Sequence, residues 1–111
     1  MKNILTLFAG ACLVFTSAHA VAGDPRAGEA KAEACIACHG TDGRGTAPNF
    51  PNIGGQYESY LLHSLRGYKS GDRPNPIMAG IVAELSDQDL RDLAAFYAAQ
   101  DSGLYVPRLR P

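Results

Sequence analysis

Five residues, Cys35-Ile36-Ala37-Cys38-His39, constrain this chain more than any other part of its sequence. The spacing predicts two thiols about one helical turn apart, followed at once by an imidazole. Four chemistries use cysteines in this way. A disulfide between Cys35 and Cys38 would close a loop too short to remove much chain entropy. A thioredoxin-like redox pair needs a βαβ setting, and no strand-like alternation is visible. A zinc site would use both thiols and His39 but lacks a second Cys or His pair nearby. A covalently attached haem uses all three groups. Each thiol adds to one of the two vinyl groups on a porphyrin edge, and His39 is then forced beneath the iron as an axial ligand.

A cofactor at the core suits a chain of this size. The 111 residues are 46% apolar and 19% charged, with five Tyr, four Phe and no Trp. That is enough for one small domain, which gains stability from a metal, disulfide or cofactor. Twelve Gly and seven Pro point to long loops. The formal net charge of −1 excludes a basic nucleic-acid binder and a charge-driven disordered chain.

The N-terminus carries an address. Lys2 precedes an apolar run from Ile4 to Val14, and Ala18-His19-Ala20 fits the small-x-small cleavage pattern of a secretory signal. The run is shorter than a membrane-spanning helix needs. Cys12 lies within it, and Ala9-Gly10-Ala11 before it lacks the leucine-like residue of a lipid-anchor signal. The expected organisation is therefore a leader over 1–20, removed on export, a haem domain over 21–100 and an extended tail over 101–111. The expected destination is the periplasm of a Gram-negative-type cell, with no stable membrane insertion after cleavage.

Along the exported part, Asp24-Pro25 predicts a capped helix start, and the segment from Arg26 is expected to run as one helix into Cys35. Residues 40–55 have no apolar period and are expected to be loop. Leu61, Leu65 and Tyr68 form one stripe of a second helix over 57–70, stopped by Gly71. Pro74 and Pro76 predict a wrapped loop over 72–84. Ser86 with Asp89 matches a capping box ahead of a third helix to about Ala99, striped by Leu90, Leu93, Ala94 and Tyr97. The expected class is all-α, three main helices with long loops around the haem.

A second axial ligand has few candidates. Apart from the initiator, the one methionine is Met78, and its proline-rich surroundings allow the backbone to aim it inward. A lone Met is usually core filler. The haem assignment makes it the expected iron ligand. His63 sits beside the apolar stripe and reads as a surface histidine.

In order along the chain, Cys35-Ile36-Ala37-Cys38-His39-Gly40, Asp42-Gly43, Pro48-Asn49-Phe50-Pro51, Gly55-Gln56, Tyr60-Leu61, Gly71-Asp72-Arg73, Met78, Leu85-Ser86-Asp87 and Leu93-Ala94-Ala95-Phe96-Tyr97 resemble the class I cytochromes c. The likeness is strongest to the short bacterial monohaem kind that also occurs duplicated in dihaem cytochromes. The resemblance implies that the Pro51 carbonyl accepts the ring N–H of His39 and that Gly28 packs against Phe96 or Tyr97. With His39 and Met78 on the iron, no position is left for a substrate, which implies a one-electron carrier between redox proteins and not an enzyme. A cytochrome subunit of a larger oxidoreductase stays open. So do a gas-binding or catalytic haem protein with Met78 off the iron, and a non-haem protein using Cys35 and Cys38.

Leu61, Leu65, Ile81, Leu90, Leu93 and Tyr97 are expected around the macrocycle. Arg44, Arg66, Lys69 and Arg73 are candidates for the haem propionates, with Arg73 preferred because it precedes Met78. Arg66 and Lys69 are equally explained by the dipole at a helix end, and Asp87, Asp89 and Asp92 by a helix start without further partners.

Overall fold

The computed structural model describes residues 21–103, Tyr105 and Pro107. The expected leader over 1–20, with Cys12, and most of the tail beyond Gly103 lie outside the described residues. Five helices and no strands form among them: α1 Pro25–Lys31, α2 Glu33–His39, α3 Glu58–Ser70, α4 Pro76–Val82 and α5 Asp87–Ala98. No helix among the described residues is long and apolar enough to cross a membrane.

The helix starts follow their sequence signals. The Asp24 carboxylate accepts from the Arg26 N–H at 2.9 Å, with Pro25 in the first turn. Ser86 and Asp89 exchange side-chain-to-backbone hydrogen bonds at the start of α5, a complete capping box. Gly71 ends α3 in the left-handed conformation, φ 88°, which a side chain would strain.

Two expectations fail. The helix expected from Arg26 into Cys35 breaks at Ala32, where the backbone N–H bonds to the Glu29 carbonyl and closes α1 with a tighter turn. Ala32, the residue between the two helices, is fully buried, so the break itself is packed on the core. The loop expected over 72–84 contains α4. Pro76 occupies the first turn of that helix, where its missing N–H costs nothing, and Asn75 caps it.

α1 lies across α5. A Cβ on Gly28 would collide with the Asp92 carbonyl oxygen and stand 2.7 Å from the Phe96 Cβ, so only glycine permits this approach. The expected Gly28 partner is thus Phe96. Beside the crossing, the buried Asp92 carboxylate accepts from the Asp24 N–H at 2.9 Å, from Gln88 Nε2 at 2.8 Å and from Lys31 Nζ at 2.8 Å. Lys31 also pairs with Asp89 at 2.7 Å. Asp87 pairs with Arg66 and Arg91. The acidic residues of α5 therefore tie it to α1 and α3, beyond any dipole role. Lys69 in turn donates to the Leu85 carbonyl. Ala32, Leu61, Val82, Leu90, Leu93, Ala94, Ala95, Phe96 and Tyr97 are the buried apolar residues of the core, with the Phe96 and Tyr97 rings edge-on at 4.9 Å.

Candidate haem site

α2 carries Cys35, Cys38 and His39 to the wall of a cleft of about 400 Å³. The end of α2 is fixed by its neighbours. Thr46 donates from its backbone N–H to the Cys38 carbonyl at 2.9 Å and from Oγ1 to the same oxygen at 3.1 Å. These bonds satisfy a carbonyl that the helix end leaves open. The Tyr97 hydroxyl donates to the Gly40 carbonyl at 3.2 Å, tying α5 to the turn that follows His39. Burial raises the Tyr97 pKa well above that of an ordinary phenol, so it stays a donor.

Both cysteines are free thiols. Burial, and to a lesser degree the neighbouring Cys38, raises the pKa of Cys35 and keeps it protonated. His39 is 8% exposed, and its Nδ1 lies 2.8 Å from the Pro51 carbonyl oxygen, as the resemblance implied. A carbonyl can only accept, so Nδ1 carries the proton and Nε2 keeps its lone pair for the cleft.

The rest of the lining comes from α3, α4, α5, the loop before α3 and the turn between α3 and α4. Leu61, Leu65 and Tyr68 of the expected α3 stripe reach the cleft, as do Met78 and Ile81 of α4 and Leu93, Ala94 and Tyr97 of α5. Pro51 and Arg73 also line it. Leu90 does not: it is 1% exposed and buried away from the cleft. A helix stripe has two flanks, and only the Leu93–Tyr97 flank of α5 faces this wall. Arg44 and Arg66 are not in the lining and pair with Asp42 and Asp87 instead. His63 is exposed, the surface histidine expected.

Among the lining positions to which sequence reasoning gave no site role are Tyr60, Ser64 and Asn75. Tyr60 and Ser64 line the cleft beside Arg73. The Asn75 side chain accepts from the Ile77 and Met78 N–H groups at 3.1 and 3.0 Å, which fixes the backbone of Met78 in the first turn of α4. The Asn75-Pro76 pair repeats the start signal of Asp24-Pro25 and could have revealed it.

These residues fit a haem. An apolar cleft brings together two free thiols, an imidazole whose Nε2 has no protein partner and a thioether, and among the described residues no cluster of acidic, Cys and His side chains fits a bare metal ion. Such an all-α domain is a c-type haem domain. The chain belongs to the cytochrome c family: the family model described as cytochrome c matches residues 26–99. It is 54% identical over 83 residues to cytochrome c4 of Pseudomonas aeruginosa, covering 75% of this chain and 41% of that protein. It is 46% identical to cytochrome c-554(548) of Halomonas halodenitrificans, covering 72% of this chain and all of that protein. The crystal structure of reduced recombinant cytochrome c4 from Pseudomonas stutzeri is similar, with TM-score 0.69 and 45% identity over 72% of this chain and 47% of that one. The chain thus spans less than half the length of these cytochrome c4 proteins, in keeping with one half of a dihaem cytochrome. Family membership implies a covalently bound haem c.

Proposed function

We propose that this chain is an exported one-electron carrier with a single haem c, joined by thioethers to Cys35 and Cys38 and ligated axially by His39 and Met78. The observation that carries the reading is that Met78, delivered by α4, lines the same cleft as Cys35, Cys38 and His39. A haem held there supplies a one-electron iron couple, and thioether ligation in an apolar setting favours its reduced state.

Each residue has a part. Pro51 holds the His39 ring in one tautomer and strengthens Nε2 as a donor. Asn75 sets the Met78 backbone. Leu61 and Tyr97 wall the cleft against water, and Arg73 is the partner for a porphyrin carboxylate. Residues 1–20 are the export leader, 21–100 the haem domain and 101–111 a tail, and the periplasm is the place of work. Partners are redox proteins, met through a small contact of under about 1,200 Å², as suits rapid release.

The test is the spectrum of the exported protein. The wild type should show the weak near-infrared sulfur-to-iron charge-transfer band, and Met78→Ala should lose it while keeping the haem. An unchanged spectrum in Met78→Ala, or ready carbon monoxide binding by the reduced wild type, would refute methionine ligation.

A further inference from the structure

Tyr60, Ser64 and Tyr68 stand at i, i+4 and i+8 on α3, one above the other on a single face. The chain leaves α3 through Gly71 and turns back, so that the Arg73 N–H donates to the Gly67 carbonyl at 3.0 Å. Gly67 leaves room for this return, since a side chain there would begin 3.2 Å from the Arg73 Cβ. The Arg73 side chain therefore runs back along the same face of α3. Its guanidinium carbon lies 5.1 Å from the centre of the Tyr68 ring. Its Nη1 donates to Ser64 Oγ at 3.3 Å and to the Tyr60 hydroxyl at 3.5 Å, both at the long end for such bonds.

The guanidinium lacks a counter-charge. Lys31, Arg44, Arg66 and Arg91 each have a carboxylate within 3.4 Å, whereas Arg73 forms no ion pair among the described residues. The adjacent Asp72 accepts from Ser70 Oγ at 2.7 Å. Ser64 and Tyr60 accept from Arg73 and are bonded to each other, Ser64 donating to the Tyr60 oxygen, so the Tyr60 hydroxyl proton is left to donate elsewhere. A stacked cation and one hydroxyl donor thus converge on the wall of the cleft, and the matching acceptor is a carboxylate. A porphyrin anchored at Cys35 and Cys38 brings two.

We propose that Tyr60, Ser64 and Tyr68 are positioning residues that hold Arg73 as a receptor for a carboxylate of the bound porphyrin, and that this receptor raises the midpoint potential of the iron. The inference rests on the haem reading above. A cation and hydrogen-bond donors held against that carboxylate offset its negative charge, which otherwise favours ferric iron, and solvent moderates the effect because Arg73 and Tyr60 are exposed.

The test uses the haem-loaded protein, a spectroelectrochemical titration and the propionate bending mode in the resonance Raman spectrum. Arg73→Gln should lower the potential most and shift the mode. Tyr60→Phe/Ser64→Ala, which keeps every charge, and Tyr68→Leu should each lower it less. Adding Tyr60→Phe/Ser64→Ala to Arg73→Gln should lower it little further, and Arg73→Lys should restore part of the loss. Potentials and mode like the wild type's, with haem and near-infrared band retained, would overturn the receptor and leave the ligation standing. So would a Tyr60/Ser64 effect that persists undiminished without Arg73. A wild type lacking haem or band would overturn both. If Arg73→Gln does not fold, the charge-neutral double variant decides alone.

Discussion

His39 Nδ1 donates to the carbonyl oxygen of Pro51 at 2.8 Å, across a separation of 12 residues. One bond thereby links the attachment helix to the loop that precedes α3 and settles which ring nitrogen is free. Pro51→Ala keeps the carbonyl but releases the backbone that aims it. Weakening a hydrogen bond worth about 1 kcal/mol should speed solvent exchange of the ring N–H about fivefold. Proton NMR of the oxidised protein measures this, and an unchanged exchange rate would show that the proline does not hold the ring.

Asn75→Ala removes the acceptor for two N–H groups of α4. The expected loss is about 1 kcal/mol of stability. On warming, the near-infrared band should fade before the haem domain unfolds, because Met78 sits on the segment that loosens. Asn75→Asp, which can still cap, should retain most of both properties. A band as heat-resistant as the wild type's in Asn75→Ala would separate the cap from the ligand.

At the α1 and α5 crossing, Gly28→Val has no space to occupy, since the Asp92 carbonyl and Phe96 Cβ already fill it. The variant should lose about 1–3 kcal/mol in chemical denaturation. A wild-type midpoint would mean that the helices separate at no cost.

Lys31 joins Asp89 and Asp92, and both carboxyls ionise below their ordinary value. The Asp89 pKa falls from 3.8 to about 2, chiefly through its bond to Lys31 and then through the cap at Ser86. A carboxyl with a depressed folded pKa stabilises fully above its unfolded value and loses that contribution as the pH drops through the folded one. Acid should therefore destabilise the fold progressively between about pH 4 and pH 2. Lys31→Gln should move the acid-unfolding midpoint to higher pH. An unmoved midpoint would mean that the cluster does not couple α1 to α5.

Much of the fold was legible where local chemistry decides it. Asp24-Pro25 and Ser86/Asp89 are complete start signals made by neighbours in sequence, and Leu61, Leu65 and Tyr68 share a face by helical period alone. The attachment residues were legible because covalent chemistry fixes their spacing. What failed depended on the assembled structure. Ala32 ends α1 because it is buried against the core, which no local pattern announces. Pro76 reads equally as a helix start or a helix stop, and the Asn75 side chain decides between them. Leu90 belongs to the same apolar stripe as Leu93, and only the packing of α5 divides the stripe between core and cleft. Tyr60 and Ser64 gain their place beside Arg73 from the reversal at Gly71, a long-range consequence of one residue's backbone.

The most direct test of covalent attachment is the intact mass of the polypeptide purified from an export-competent host under denaturing conditions. One added haem, no titratable thiol at Cys35 or Cys38, and colour that survives acid–acetone extraction are expected. A colourless chain at the mass of the bare polypeptide, with both thiols free, would contradict it.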